Sequence, residues 1–332
     1  MKSFTAKKKQ HYVPQFYLKK WMTHEGLWVK NKSEGSEKIY LKKTTIDVAE
    51  ENYFYGIEMD DVVLDMLISR FRNDASSNNV VKKLMDDFLL IKLFDDVIEK
   101  RIGVVNHDIK LMKSAKEILD YIKKSHIENA HSKIEDVISK QIEQFNKEQS
   151  SDFWIPPSTE AYRSLMILFG FQLMRTKGFM SRLESDISQM CLKRDEEEII
   201  LSDKQKNSVL KCLLYIESHK FCMHKETLGC HMIIHRNRTK LSYLTSDCPA
   251  IYIDRKQRPS FSYSLGIMPL TPKLLIEFRF SERNDKTIAE IKDIYSLHQI
   301  HIANKMIQHY SLRFVFARKK RDFNIGDENS SK

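Results

Sequence analysis

The sequence predicts an α+β protein, in which a long helical region is combined with a mainly antiparallel sheet in the C-terminal half. Glycine and proline number only 9 and 7 in 332 residues. Both lie below the average usage of about 7% and 5%, so few residues interrupt helices. After about residue 220 the spacing of apolar residues changes from three or four to two, which indicates that strands replace helices.

The first 56 residues are predicted to form a separate N-terminal module. Pro14 suits the first position of a short helix, where its missing N–H is not needed. Leu27–Asn31 and Ile39–Leu41 are two short strand-like runs separated by a Ser-Glu-Gly-Ser turn. This arrangement predicts a β-hairpin between the helix and residue 56.

Residues 57–157 are predicted to be helical. Val63, Leu67 and Phe71 recur at four-residue spacing, and comparable apolar repeats continue towards Gln149. A polar run and a Pro-Pro pair then end the helical pattern. The spacing therefore predicts several helices, which could form an inserted subdomain.

Residues 158–317 are predicted to contain core helices and the antiparallel sheet, followed by a polar tail over 318–332. Ser158 or Thr159 can cap a helix. Strand-like runs begin at His231 and are separated by polar and proline-containing turns. A last helix is expected from about Asp285 to Tyr310, before a final strand.

Composition and charge narrow the classes of partner. The net charge of +10 favours polyanions, and nucleic acid is the partner we expect first. No apolar run approaches the roughly 20 residues of a membrane-spanning helix, so no membrane association is expected. The cysteines are odd in number and fit reduced thiols in the cytoplasm better than a disulfide framework; they are Cys191, Cys212, Cys222, Cys230 and Cys248.

Three polar residues extend the apolar stripe of the helix after Ser158. Gln172, Arg175 and Thr176 follow Leu168 and Phe169 at helical spacing. A buried amide or guanidinium without a partner costs several kcal/mol, so these groups need a charged partner, a ligand or a solvent-filled cleft. One interpretation is an Arg–carboxylate pair that joins helix to sheet. The other is a site in which Arg175 holds a phosphate or carboxylate.

His11 and Asp247 are the other candidate site residues. His11 precedes the short helix, whose positive end favours an uncharged ring that can act as a base or a ligand. Asp247 follows a strand beside Ser246, a common place for a general base or metal ligand and equally for a turn residue bonded to its backbone. Lys7, Lys8 and Lys9 lie next to His11 and could help to hold a phosphate backbone.

A zinc site is a weaker alternative, because the spacing of the ligands matches no standard finger. On one strand, His231 and His235 share a face. The candidate ligands are Cys222, His224, Cys230, His231 and His235. The sequence contains neither a P-loop nor a Gly-x-Gly-x-x-Gly motif, so these modes of nucleotide binding are unsupported. The basic cluster Arg318–Arg321 is read as a solvated face.

The stretch Gln-His-Tyr-Val-Pro-Gln-Phe-Tyr-Leu, from Gln10 to Leu18, closely resembles the opening of the bacterial domain-of-unknown-function 4238 family. Phe169 to Thr176 is similar to that family's Phe-x-x-Gln-x-x-Arg-Thr helix. Thr245–Pro249 is similar to its Thr-Ser-Asp-Asn-Pro motif, with Cys248 where asparagine is usual. The resemblance covers most of the chain and implies that Asn304 is a further site residue.

From these residues we expect a nucleic-acid-directed hydrolase, a nuclease of a bacterial defence or toxin system. His11 would be general base or acid, Arg175 would stabilise developing phosphate charge, and Asp247 would orient His11 or hold a metal. Gln172, Thr176, Ser246 and Asn304 would bind substrate. A divalent metal ion is a candidate cofactor. The alternatives are a non-catalytic sensor or binding module for an anionic ligand, and a purely structural polar core.

Overall fold

The structure is a computed structural model that describes residues 5–33, 37–102, 109–149, 157–188, 192–194, 197–228, 230–257, 262–281 and 288–324. The chain divides into two compact units, each assembled from three segments. Unit 1 comprises Met1–Gln10, Glu51–Ile134 and Met180–Lys220. Unit 2 comprises His11–Glu50, Glu135–Phe179 and Phe221–Lys332. The predicted linear division at residues 56, 157 and 317 stays a prediction.

Most helices lie in the first two thirds of the described chain, in agreement with the scarcity of glycine and proline. They are α1 (Gln15–Leu18), α2 (Asp61–Ser77), α3 (Asn79–Ile102), α4 (Ile109–Gln149), α5 (Thr159–Met174), α6 (Lys177–Ser188), α7 (Asp203–Leu228) and α8 (Leu297–Tyr310). Ser158 caps α5 as predicted, because its side chain accepts a hydrogen bond from the Ala161 N–H at 3.1 Å. No described helix is long and apolar enough to cross a membrane.

The strands concentrate in the C-terminal half, as the two-residue period predicts. They are β1 (Lys9–His11), β2 (Leu27–Asn31), β3 (Lys38–Lys42), β4 (Glu50–Asn52), β5 (Leu192–Arg194), β6 (Glu197–Ile199), β7 (His231–Asn237), β8 (Thr245–Ser246), β9 (Ile251–Ile253), β10 (Ser264–Thr271), β11 (Leu274–Phe280), β12 (Ile288–Ile294) and β13 (Phe314–Ala317). The α+β class is therefore confirmed.

Two sheets form the framework of unit 2. The five-stranded sheet has the order β12-β7-β11-β10-β9 and is antiparallel except that β12 runs parallel to β7. The four-stranded sheet has the order β3-β2-β13-β8 and is antiparallel throughout. The predicted hairpin of β2 and β3 is thus part of a larger sheet that the last strand completes.

The prediction of a helix from about Asp285 is wrong at its beginning. Ile288–Ile294 is strand β12, and α8 begins only at Leu297. Ile288, Ile291 and Ile294 are spaced by three residues, which imitates a helical repeat. Pairing with β7 along its whole length supplies the backbone hydrogen bonds and overrides that local pattern.

Each unit has its own aromatic core. In unit 1, Phe88 is fully buried and meets the Tyr215 ring edge-on, with the centroids 6.4 Å apart. In unit 2, Phe169 of α5 contacts Phe278 and Phe280 of β11, with centroids 5.2 and 6.2 Å apart. Burial of one such side chain stabilises a fold by about 1.5–3 kcal/mol. These contacts fix α5 against the five-stranded sheet. The helix carries Gln172, and the predicted site residues Arg175 and Thr176 directly follow its last turn.

Candidate functional site

His11 lies at the end of β1 and is held in one uncharged form by two hydrogen bonds. Its Nδ1 lies 3.1 Å from the Val48 carbonyl oxygen, which can only accept, so Nδ1 carries the proton. Nε2 therefore accepts from the Gln15 side-chain amide at 2.7 Å. The residue is only 6% exposed. Nδ1 thus joins the opening motif to the segment before β4, while Nε2 forms a hydrogen bond within the motif itself.

Arg175 caps the C-terminal end of α5 and contacts the backbone of the opening motif. Its Nε donates to the Tyr12 carbonyl at 3.0 Å, and its Nη2 donates to the His11 carbonyl at 2.8 Å. Its Nη1 pairs with the Glu135 carboxylate at 2.6 Å. The nearly buried guanidinium does form an Arg–carboxylate pair. The pair joins α5 to helix α4, which carries Glu135, and not to a sheet as predicted.

Thr176 connects Arg175 to the second signature, the Thr-Ser-Asp-Cys-Pro segment. Its hydroxyl is hydrogen-bonded to the Cys248 thiol. A side chain at Gly178 would overlap the Cys248 sulfur, so glycine is required for this close approach. Burial and the neighbouring Asp247 charge raise the pKa of Cys248 to about 11. The thiol is therefore held in its protonated, unreactive form.

Asp247 holds the chain reversal between α8 and β13. Its Oδ1 accepts from the Leu312 N–H at 3.0 Å. Its Oδ2 accepts from the N–H groups of Arg313 and Phe314, at 2.7 and 3.0 Å. Burial raises the pKa of Asp247, while these three N–H groups and the Lys32 charge oppose the rise. The carboxylate therefore does not form the predicted turn with its own neighbours, because the N–H groups that it accepts from lie about 65 residues later in the chain. Its roles as a general base or a metal ligand stay predictions.

These contacts bring the predicted catalytic residues into one connected cluster, which we call the polar knot: His11, Arg175, Thr176, Cys248 and Asp247. The connection runs from the His11 carbonyl through Arg175 and Thr176 to Cys248 and Asp247. The predicted convergence of distant segments is therefore present. The functional atoms of these residues, however, are bonded to other groups of unit 2, either backbone groups or the side chains of Gln15 and Glu135 and those of one another.

The other predicted binding residues are also buried. Ser246 accepts a hydrogen bond from the Cys248 N–H at 3.1 Å. Asn304 of α8 accepts from the Leu244 N–H and donates to the Ser242 carbonyl, both at 2.9 Å. Gln172 is completely buried, and within the described structure neither its side-chain nitrogen nor its oxygen has a hydrogen-bond partner. Gln172 is thus the one predicted residue with an amide that folding leaves unsatisfied.

The zinc hypothesis is not supported by the described residues, among which no group of three His, Cys, Asp or Glu side chains could hold a metal ion. Cys230 bonds to the Tyr162 hydroxyl, and His231 lies 3.7 Å from Glu290. His235 bonds to Glu277 at 2.9 Å. Burial raises the pKa of Glu277, but His235 and the adjacent arginine outweigh it and lower the value to about 2. The His224 side chain lies outside the described part.

A second candidate site is a groove of about 610 Å³ that we call the basic groove. It is lined by Thr23, His24, Glu25, Trp28, Arg318, Lys319, Lys320 and Arg321. The sheet register explains its composition, because Ala317 of β13 pairs with Trp28 of β2 and the four basic residues follow directly. The Lys320 ammonium nitrogen lies 5.8 Å from the centre of the Trp28 ring.

The groove's charges differ from those of the polar knot. All four basic residues are exposed, and none forms an ion pair with another described residue. Thr23 and Gly26 exchange backbone hydrogen bonds, which sets His24 and Glu25 at the tip of a turn. Gly26 has φ +135° there, a conformation that favours glycine. From the sequence, Arg318–Arg321 were predicted to be a solvated face. Their position beside Trp28 could not be predicted, because Trp28 and Arg318 are 290 positions apart.

The comparisons with known proteins give one match. A family model described as a protein of unknown function, DUF4238, matches residues 9–321. This range contains the opening motif, α5, the Thr-Ser-Asp-Cys-Pro segment and the basic residues of the groove. No curated protein and no solved structure matched the chain.

Proposed function

Because the chain belongs to the DUF4238 family, whose description assigns no activity, we propose a function from its own residues: it binds nucleic acid through the basic groove. The observation that carries the proposal is the row of four consecutive exposed cations, Arg318–Arg321, beside Trp28. This proposal shares an anionic ligand with the binding module predicted from the sequence, but it places that ligand at Arg318–Arg321 instead of at His11, Arg175 and Asp247.

Unpaired cations favour a ligand with several negative charges. Protein cations that carry acidic partners gain little from an added anion, since that anion must compete with the carboxylate. Arg236 and Arg238, for example, both bind Asp293 at 2.7 and 3.0 Å. None of the groove cations forms an ion pair with a carboxylate in the described structure, although Arg321 interacts electrostatically with the neighbouring Asp322. A phosphate backbone that approaches them releases its condensed counterions, which is the main source of non-specific affinity.

Trp28 favours nucleic acid over a small inorganic anion. Its ring is partly buried against the hydrophobic cluster of unit 2 and also lines the groove. An apolar ring beside cations offers a surface on which a base or sugar can pack while phosphates meet the lysines and arginines. The volume of about 610 Å³ exceeds what a single phosphate needs.

Hydrolysis by His11, Arg175 and Asp247 stays a prediction. The geometry supports it less than binding, because the ring nitrogens of His11 and the carboxylate of Asp247 already accept or donate within the fold. A divalent metal cofactor, and a part in a defence or toxin system, are likewise predictions. Incubation of labelled RNA and DNA with and without Mg²⁺ tests the hydrolase hypothesis directly.

The binding proposal is tested with fluorescence anisotropy of labelled single-stranded RNA and DNA. The test variant is Arg318→Ala/Lys319→Ala/Lys320→Ala. The control, Lys133→Ala/Lys140→Ala/Lys305→Ala, removes the same charge from exposed lysines for which no ion pair is found in the described structure. We expect wild type and control to bind alike and the test variant to bind at least tenfold more weakly.

The salt dependence of binding distinguishes phosphate contacts at the groove from a general attraction by the positive net charge of the protein. The slope of log K against log salt concentration changes by about 0.7 for each single-strand phosphate contact. Loss of three contacts should therefore reduce the slope by about 2 in the test variant. Equal weakening of test and control variants, or no binding by wild type at low salt, would refute the proposal.

A further inference from the structure

The aromatic ring and the cations of the basic groove are held together by the fold. Trp28 packs against the same hydrophobic cluster as Phe323, which lies two residues after Arg321 and is buried. Asp322 is also buried, and its carboxylate accepts a hydrogen bond from the Lys319 N–H at 3.1 Å. The basic segment is therefore anchored beside the Trp28 ring before any ligand arrives, which lowers the entropy cost of binding.

The cations come from only one of the two described segments that line the groove. Arg318–Arg321 follow β13, whereas the segment before β2 contributes Thr23, His24 and Glu25. Glu25 is exposed, and the Thr23 hydroxyl accepts a hydrogen bond from its N–H at 3.2 Å. A single phosphate backbone can follow the cationic segment, whereas a second backbone in the same groove would meet the Glu25 carboxylate.

The shape of the groove differs from that of a surface that reads a duplex. Duplex readers insert a protruding helix or β-ribbon into the major groove, which is about 12 Å wide. Here the ring and the cations line a hollow of about 610 Å³, which is the size of a small-molecule site. Two paired strands cannot enter such a hollow, whereas a nucleotide of a single strand can.

We propose that the basic groove selects single-stranded RNA or DNA, with one base stacked on the Trp28 ring and the adjoining phosphates bound by Arg318–Arg321. This inference rests on the nucleic-acid binding proposed above and names the form of nucleic acid that is bound. In the interior of a duplex, neighbouring base pairs cover both faces of every base. Only an unpaired base can therefore offer a face to Trp28.

Lys320 does not prevent a base from stacking on Trp28. Its ammonium nitrogen lies 5.8 Å from the centre of the ring, and its side chain is exposed. An exposed cation–π contact is weaker than the stacking of a base on an aromatic side chain. A base can thus displace the ammonium group from the ring, and Lys320 can then bind a phosphate.

Stacking makes a prediction that is opposite to that of charge alone. A duplex carries its phosphates more densely than a single strand, so a site that uses only its cations binds the duplex at least as tightly. Stacking does not depend on the phosphate charge and is available only to the single strand. Tighter binding of the single strand therefore requires the contact with Trp28.

The test removes the base and the aromatic ring separately. Fluorescence anisotropy measures the dissociation constants of wild type and Trp28→Leu for a labelled oligothymidylate, for an abasic oligomer of the same length and for a duplex of that length. We expect wild type to bind the oligothymidylate about tenfold more tightly than the abasic oligomer, and more tightly than the duplex. Trp28→Leu should bind the first two alike. An oligouridylate series tests RNA, and discrimination in either series supports the proposal.

Trp28→Phe is the matched control, because it also loses indole packing but keeps an aromatic face. It should still prefer the oligothymidylate to the abasic oligomer. Circular dichroism and an unchanged affinity for the duplex show that Trp28→Leu is folded. If wild type binds both oligomers equally in both series, or if Trp28→Leu keeps the preference, the selection of single strands is wrong.

The variant Arg318→Ala/Lys319→Ala/Lys320→Ala separates this failure from that of the proposed function. Weaker binding by this variant to every oligomer, without discrimination between them by wild type, would overturn only the stacking on Trp28. Absence of binding by wild type to all the oligomers at low salt would overturn both proposals.

Discussion

The polar knot and the basic groove both belong to unit 2, and they show two different uses of charged residues. In the knot, Arg175 and Asp247 are buried, and six hydrogen bonds join them to backbone carbonyls, backbone N–H groups and one carboxylate. In the groove, Arg318–Arg321 are exposed and form no ion pair with other described residues. Charged side chains that are bonded to other groups of the protein stabilise its fold. Exposed charged side chains without an ion pair are available to bind a ligand. We therefore expect the knot to contribute to stability, and the exposed charges of the groove agree with the binding role proposed for it.

The largest expected effect concerns the acid of the knot. Asp247→Ala removes the acceptor of three backbone N–H groups, and the free energy of unfolding should fall by about 3 kcal/mol. Urea denaturation at pH 7 measures this loss. Asp247→Asn keeps one carbonyl oxygen and should lose less. If Asp247→Ala is as stable as wild type, the carboxylate is not a structural element and the catalytic hypothesis gains weight.

The guanidinium of the knot should show a smaller effect. Arg175→Lys keeps the positive charge but cannot reach two carbonyls and the Glu135 carboxylate together, so we expect a loss of about 2 kcal/mol. The same denaturation experiment measures it. Lys305→Ala serves as the surface control. A loss of function without any loss of stability would instead indicate that Arg175 contacts a ligand.

Substitution of Gln172 is expected to stabilise the protein, in contrast to substitution of Asp247 or Arg175. Its amide is fully buried and unsatisfied in the described structure, so Gln172→Met should raise the free energy of unfolding by about 1 kcal/mol. Methionine matches the length of the side chain without its polar atoms. The shift in the urea midpoint gives the result. A destabilised variant would mean that the amide is hydrogen-bonded in the folded protein, and the premise would be wrong.

The smallest effect on stability is expected in the groove. Arg318→Ala/Lys319→Ala/Lys320→Ala should unfold within about 0.5 kcal/mol of wild type, since exposed cations without acidic partners contribute little. The same variant is the one expected to lose nucleic-acid affinity. A large loss of stability would show that these residues, like those of the knot, support the fold.

Much of the fold could be predicted because local patterns and tertiary structure agree. Ser158 caps α5 as its side chain suggests, and the alternation at His231–His235 predicts β7. The strand at Ile288–Ile294 could not be predicted, because its isoleucines follow a helical spacing and only pairing with β7 decides otherwise. Local spacing carries no information about a partner strand more than fifty residues away.

Some features of the candidate site could likewise be predicted from the sequence, and others could not. The opening motif, α5 and the Thr-Ser-Asp-Cys-Pro segment do converge, as expected from the polar stripe and the strand-end acid. The hydrogen-bond partners of Arg175 could not be predicted, because two of them are backbone carbonyls, which every residue has. The groove was missed because it depends on the pairing of Trp28 with Ala317. That register exists only once β2, from the start of the chain, has paired with β13, from its end.

The close packing of Cys248 against Gly178 has a consequence for chemistry rather than for stability. Alkylating and oxidising reagents attack the thiolate, and burial keeps this sulfur protonated and out of reach. Such a reagent can modify Cys248 only after the start of α6, where Gly178 lies, moves away from the Cys248 sulfur. The rate at which Cys248 is modified in native buffer therefore reports how often the motif around Asp247 unfolds locally.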